Sequence, residues 1–295
     1  MDLKAYLEKK KDLVDGALRD YLSSLIKTDP PPERIYNSIS YSLMAGGKRL
    51  RPILAIAAYE ACEGTGDKVL PVAAALELIH TYSLIHDDLP SIDNDDLRRG
   101  KPTNHRVFGE ATAILTGDAL LTDAFNLISE SKADPEVLLN IIKEISRASG
   151  SRGMVAGQAA DIYAEGNIIG ENELQYIHTH KTEALIRASL RVGGLMAETS
   201  PEKLHFLTRY GEGIGLAFQI VDDILDVEGS SEELGKSTGT DSGKGKNTYP
   251  SIFGLEESKK KAEELIKNSL EAIEGFDEKA EPLREIAMYV LKRKN

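Results

Sequence analysis

Eight aspartates in two short segments are the residues of this chain best suited to chemistry. The first segment holds Asp87, Asp88, Asp93, Asp95 and Asp96, five carboxylates within ten residues, and the second holds Asp222, Asp223 and Asp226. On a helix, Asp222 and Asp226 at i and i+4 share a face and repel by ~0.2–0.5 kcal/mol. Aspartates at a helix C-terminus also meet the negative pole of the macrodipole. Local structure opposes both arrangements. Hard oxygen ligands in such density suit Mg²⁺, which takes one or two carboxylates, keeps waters and completes its shell with phosphate oxygens. Two segments therefore predict acidic jaws around a diphosphate. A single aspartate run is ordinarily a solvated helix end. Here both runs end stretches, residues 69–85 and 214–227, that are apolar on nearly every face and so belong in the middle of a bundle. Pro90 must stop or kink the first of these helices, which can bring Asp93 back beside Asp87.

Basic residues stand next to the acidic ones. Gly46 and Gly47 lead into Lys48, Arg49 and Arg51, three cations at a glycine turn, a cradle for a second anionic group. Arg98, Arg99 and Lys101 follow the first aspartates, and Lys236, Lys244 and Lys246 follow the second. Such alternation is expected if metals grip one diphosphate while guanidinium and ammonium groups grip another. Lys181, Thr182, Gln158, Gln219 and His80 are weaker candidates, since an exposed lysine or a satisfied core histidine is the commoner case.

The elements that position these residues read as helices. Leu3, Leu7, Val14, Leu18, Leu22 and Leu25 recur at helical spacing. Pro30, Pro31 and Pro32 end that stretch, Glu33 starts another, and Gly46-Gly47 follows its end near Ala45. Further breaks fall at residues 64–66, Asp134-Pro135, Gly166, Ser200-Pro201 and residues 229–231. The segments between them have helix length, so the expectation is one all-α domain over residues 1–295. Residues 235–246, with four glycines and three lysines, read as a mobile loop.

Composition bounds the function. Apolar residues make up 41% and charged residues 28%, as in ordinary globular chains. With 48 acidic against 36 basic side chains, the net charge of −12 disfavours nucleic acid and anionic membrane surfaces as partners. Cys62 is the single cysteine, so neither an intrachain disulfide nor a thiolate metal cage is available. No apolar run approaches the ~20 residues of a membrane span. A cytoplasmic location is the expectation.

Taken in order, residues 46–52 (GGKRLRP), 80–90 (HTYSLIHDDLP), 95–105 (DDLRRGKPTNH), Gly157-Gln158, Lys181-Thr182, 218–226 (FQIVDDILD) and 235–250 resemble the trans-polyprenyl diphosphate synthases across most of the chain. The resemblance implies the isoprenoid-synthase helical bundle around a central cavity, usually a homodimer, which joins an allylic diphosphate to isopentenyl diphosphate. It implies that Asp87, Asp93 and Asp222 ligate three Mg²⁺ ions bridging the allylic diphosphate, supported by Asp88, Asp223 and Asp226. Arg98, Lys181 and Lys236 are expected to add charge-assisted hydrogen bonds. Lys48, Arg51, His80 and Arg99 are expected to hold the isopentenyl diphosphate, with Thr182, Gln219 and Phe218 near the allylic chain.

In that family, residues about one turn before the first aspartate set product length; here these are Tyr82 and Ser83. Tyr82 precedes Asp87 by five residues, about 7.5 Å along a helix. A tyrosine there, with two residues inserted in the first motif, resembles the bacterial farnesyl diphosphate synthases and implies a C15 product; many geranylgeranyl diphosphate synthases share the rest. Three rivals make different demands. A class I terpene cyclase has no second diphosphate to hold with Lys48, Arg51 and Arg99. A phosphohydrolase seeded by His86-Asp87 needs several histidines at its metal, and the six here are scattered. A non-catalytic synthase subunit does not need two intact acidic motifs.

Overall fold

Helical spacing in the sequence becomes helix almost everywhere in the computed structural model, which describes residues 1–27, 29–228 and 247–293. The predicted loop at 235–246, with Lys236, Lys244 and Lys246, lies outside the described residues. In order, the helices are α1 (Leu3–Leu25), α2 (Glu33–Leu43), α3 (Leu50–Ala61), α4 (Leu70–Asp87), α5 (Asn104–Phe108), α6 (Glu110–Ser129) and α7 (Pro135–Ser149). They continue with α8 (Met154–Ala164), α9 (Glu171–His178), a π-helical turn (Thr179–Glu183), α10 (Ala184–Met196), α11 (Pro201–Glu228), α12 (Tyr249–Phe253), α13 (Leu255–Ala272) and α14 (Glu281–Lys292). Between α4 and α5 lies the one ladder among the described residues: β1 (Leu97–Arg98) pairs antiparallel with β2 (Lys101–Pro102).

Breaks fall where the residue types place them. Asp2 caps α1 by accepting from the Ala5 amide at 3.1 Å, and Asp134 accepts from the Glu136 amide at 2.8 Å to start α7. α11 opens on Pro201, a position where the missing amide costs nothing.

Packing groups the chain into two compact units, one from residues 2–56 and 65–142, the other chiefly from 57–64 and 143–295. In the first unit α4 is the buried helix: Leu76, Leu78 and Ile79 are fully enclosed. Ser38 donates to Asn104 Oδ1 at 3.0 Å, and Asn104 returns hydrogen bonds to Ser38 O and Ser42 Oγ. That buried exchange fixes α5 against α2. In the second unit α11 is central, with Tyr210, Ala217 and Ile220 enclosed and the Tyr210 hydroxyl donating to Leu283 O at 2.6 Å. Both helices predicted to be apolar on nearly every face thus supply core side chains, and each carries aspartates near its C-terminal end.

Candidate active site

In the first unit α4 ends at Asp87, and the chain turns sharply at Pro90. The Asp93 amide donates to the Asp87 carbonyl at 2.8 Å and the Asn94 amide to Leu89 O at 3.0 Å. Proline ends the helix, and the inserted residues fold Asp93 back onto Asp87, as the sequence predicts. Asp87 and Asp93 are half-buried at this turn. Asp88 differs: it is 3% exposed and takes Arg98 Nε at 2.9 Å, with Arg98 Nη2 closer still. Burial pushes the Asp88 carboxyl above its usual range, against the pull of Arg98. Asp88 therefore anchors Arg98 from within.

Arg98 and Arg99 ride on the β1–β2 hairpin, which the helical pattern did not reveal. Its turn uses positive φ at Arg99 (53°) and Gly100 (73°). Arg99 Nη1 donates to the Gly46 carbonyl, and a Cβ on Gly47 would stand 2.6 Å from the Arg99 Cζ. Glycine at 47 therefore lets the two basic segments touch. Arg51 Nη1 lies 3.4 Å from His80 Nε2. His80 is driven well below its ordinary pKa by burial and then by Arg51, Arg99, Arg98 and Arg49, so it stays neutral amid cations. Lys48 is exposed beside this group.

One basic residue departs from the sequence reading. Arg49 is no part of an anion cradle: it is 2% exposed and turns inward to Glu77 Oε1 (2.6 Å), Asp15 Oδ1 (2.9 Å) and Leu43 O (2.6 Å). Its guanidinium ties α1, α2 and α4 together. Glu77, buried at 1% in the middle of α4, is the partner that spacing alone did not mark.

Tyr82 is 6% exposed and stands edge-on to His86, ring centroids 5.8 Å apart. His86 Nε2 is 3.1 Å from Ile114 O, and Gly117 leaves the room its ring occupies. Ser83 donates to His80 O at 2.8 Å.

In the second unit Lys181 and Thr182 sit on the π-turn, not on a regular helix. Gly157 of α8 lets its backbone approach Lys181 N, and Gly215 of α11 approaches Glu183, where an added Cβ would stand 2.9 Å from Glu183 Cα. The turn is held between two glycines. Lys181 Nζ lies 2.6 Å from Asp161 Oδ2, a carboxylate the sequence reading missed. Thr182 donates to Gln219 Oε1 at 2.8 Å, and Gln219 donates to Asp223 Oδ1 at 2.9 Å. The other Asp223 oxygen accepts the Tyr249 amide at 2.8 Å and lies 3.5 Å from His178 Nε2. Asp223 is 3% exposed, so it knits the π-turn, α11 and α12 together. Burial lowers His178 to about 4.

Asp222 points the other way, its side chain 45% exposed, and pairs with Arg293 Nη2 at 2.8 Å. Asp226 is half-buried one turn on. Lys236 lies outside the described residues. Arg293 is far away in sequence, and no spacing signal links it to Asp222.

The donor set fits Mg²⁺. Among the described residues no three acidic, histidine or cysteine side chains converge to cage a metal unaided. An ion that needs only one or two carboxylates and draws the rest of its shell from phosphate and water suits the half-buried Asp87 and Asp93 of the first unit and, taken by itself, Asp222 of the second. Gln158 Nε2, buried with no hydrogen-bond partner, is a further donor that an oxygen-rich ligand would satisfy.

Residues 32–286 match the sequence profile of the polyprenyl synthetase family. The chain belongs to that family. It is 47% identical over 299 residues to geranylgeranyl pyrophosphate synthase 7, chloroplastic, of Arabidopsis thaliana, covering all of this chain and 85% of the relative. It is also 47% identical over 264 residues to the farnesyl diphosphate synthase of Geobacillus stearothermophilus, covering 88% of each. The crystal structure of an FPP/GFPP synthase from Zymomonas mobilis in its apo form superposes with a TM-score of 0.87 at 37% identity, over 98% of this chain and 99% of that one. The all-α architecture is thus the helical fold of prenyl synthases, and the chain is a trans-prenyltransferase that makes prenyl diphosphates. Terpene cyclase and phosphohydrolase readings end here. The relatives divide between C15 and C20 names, so family membership leaves product length open. Among the described residues no helix is long and apolar enough to cross a membrane.

Proposed function

We propose that this polyprenyl synthetase condenses isopentenyl diphosphate with dimethylallyl and geranyl diphosphates and stops at farnesyl diphosphate. In this proposal Asp87, Asp93 and Asp222 would hold Mg²⁺, three ions by the family resemblance, and bound Mg²⁺ would supply the positive charge that an allylic diphosphate needs in order to leave. Arg98, fixed by Asp88, and Lys181, fixed by Asp161, direct hydrogen bonds at the same diphosphate. Asp223 keeps Gln219 and Thr182 in register beside the allylic chain, and Phe218 lines that region. Lys48, Arg51, Arg99 and neutral His80 hold the isopentenyl diphosphate, so that its double bond attacks the allylic cation; the released diphosphate takes the proton lost from C2.

The observation that carries this reading is the pairing, within one unit, of an acid-tipped helix end with a nest in which Arg51 lies 3.4 Å from His80, a histidine that burial first and the arginines second keep neutral. Two anions of different kinds need two such places. A C15 limit is supported by Tyr82, buried about 7.5 Å along α4 from Asp87 and backed by His86. A homodimer is part of the proposal by the family resemblance, and the exposed apolar side chains Val107, Ile114 and Leu115 on α5 and α6 are candidates for its surface. A cytoplasmic location completes the proposal. Geranylgeranyl diphosphate is the second reading, favoured by relatives of that name. The test is to incubate the chain with Mg²⁺, isopentenyl diphosphate and C5, C10 or C15 primers, with a chelator control. Farnesyl diphosphate is the expected end product; a dominant C20 product refutes the length assignment.

A further inference from the structure

Arg293 follows α14 and occupies an unusual place. Its side chain is 4% exposed, while that of Asp222, its partner at 2.8 Å, is 45% exposed. The guanidinium carbon lies 3.8 Å from the centre of the Phe218 ring, and Nη2 also donates to Phe218 O at 2.5 Å. Nε is buried with no hydrogen-bond partner. A cation is thus stacked beneath the second acidic segment, one face on an aromatic ring, with Asp222 Oδ1 on its outer edge. Burial of so incompletely satisfied a guanidinium is unfavourable unless the carboxylate charge compensates it.

We infer that Arg293 is a resident counter-cation of Asp222 that holds off divalent metal until a diphosphate arrives with it. This rests on the assignment of Asp222 to metal. A divalent ion approaching Asp222 meets a positive charge already on Oδ1 and must either displace Arg293 or bind beside it. Both lower its affinity. A diphosphate that arrives with a single Mg²⁺ carries net negative charge, so the same arginine attracts it. The second acidic segment therefore loads metal together with substrate and resists loading alone.

The experiment measures Mg²⁺ binding by calorimetry and thermal shift, with and without inorganic diphosphate, for wild type, Arg293→Gln, Arg293→Met, Arg293→Lys and Asp222→Asn. Far-UV circular dichroism checks the fold, and methionine preserves cover over Phe218. The expected result is about tenfold tighter binding of Mg²⁺ alone in the Gln and Met variants, little change in Lys, and weaker Mg²⁺-diphosphate binding in both neutral variants. Removing Asp222 as well should abolish the gain. Unchanged or weaker Mg²⁺ binding in folded Gln and Met variants, with an Asp222-dependent diphosphate complex intact, overturns the role of Arg293 alone. Wild-type Mg²⁺-diphosphate binding in Asp222→Asn overturns the metal assignment and this inference with it.

Discussion

Glu183 closes the π-turn that carries Lys181 and Thr182, and replacing it with glutamine tests how that turn is held. The side chain is 2% exposed, and neither oxygen has a hydrogen-bond partner. Arg187 Nε is 3.3 Å from Oε1 but not aligned to donate, and Glu212 adds a like charge. Burial, outweighing Arg187, raises the carboxyl from 4.5 to about 7. The folded chain therefore keeps a proton that the unfolded chain gives up as pH rises above 4.5. Stability contributed by the neutral carboxyl is complete below that value, falls as pH rises to about 7, and stays lost above it. A displacement of that size corresponds to about 3 kcal/mol. Glutamine keeps the shape of the protonated acid and cannot ionise. Glu183→Gln should match wild type near pH 4.5 and exceed it near pH 8 by about 3 kcal/mol in urea unfolding, or ~5–10 °C in melting temperature. An equal offset at both pH values, or none at either, would refute the reasoning.

Arg49→Met should destabilise the chain by ~3–5 kcal/mol in denaturant titration, because Glu77 is left buried without its cation. Lys48→Ala, at an exposed site, should leave the unfolding midpoint unchanged and raise the KM for isopentenyl diphosphate. Tyr82→Ala should lengthen the product toward C20 or beyond, read by chromatography of the dephosphorylated alcohols; an unchanged C15 product removes Tyr82 as the stop. Gly157→Ala puts a methyl against the Lys181 backbone. It should lower kcat at least tenfold while far-UV circular dichroism stays helical, and normal turnover would mean that the π-turn does not need its close approach to α8.

What the sequence determined by itself was whatever is encoded locally. Helical periodicity, proline and glycine breaks and two helices apolar on nearly every face, each with aspartates near its C-terminal end, specify an all-α bundle. Proline at 90 is enough to predict the turn that returns Asp93 to Asp87, because its ring acts on its immediate neighbours. The ordered motifs carry the family for the same reason. Tertiary structure alone decided which charges serve the fold and which face outward. Arg49 and Arg51 are two residues apart, yet one is spent on Glu77 and Asp15 while the other stands by His80. Asp222 and Asp223 are adjacent, yet one is exposed against Arg293 and the other enclosed by Gln219 and Tyr249. The β1–β2 hairpin, the π-turn between Gly157 and Gly215, and the partners Asp161, Glu77 and Arg293 were equally out of reach. A charge's role depends on its solvation and on partners many residues away, and neither is written in the spacing of its neighbours.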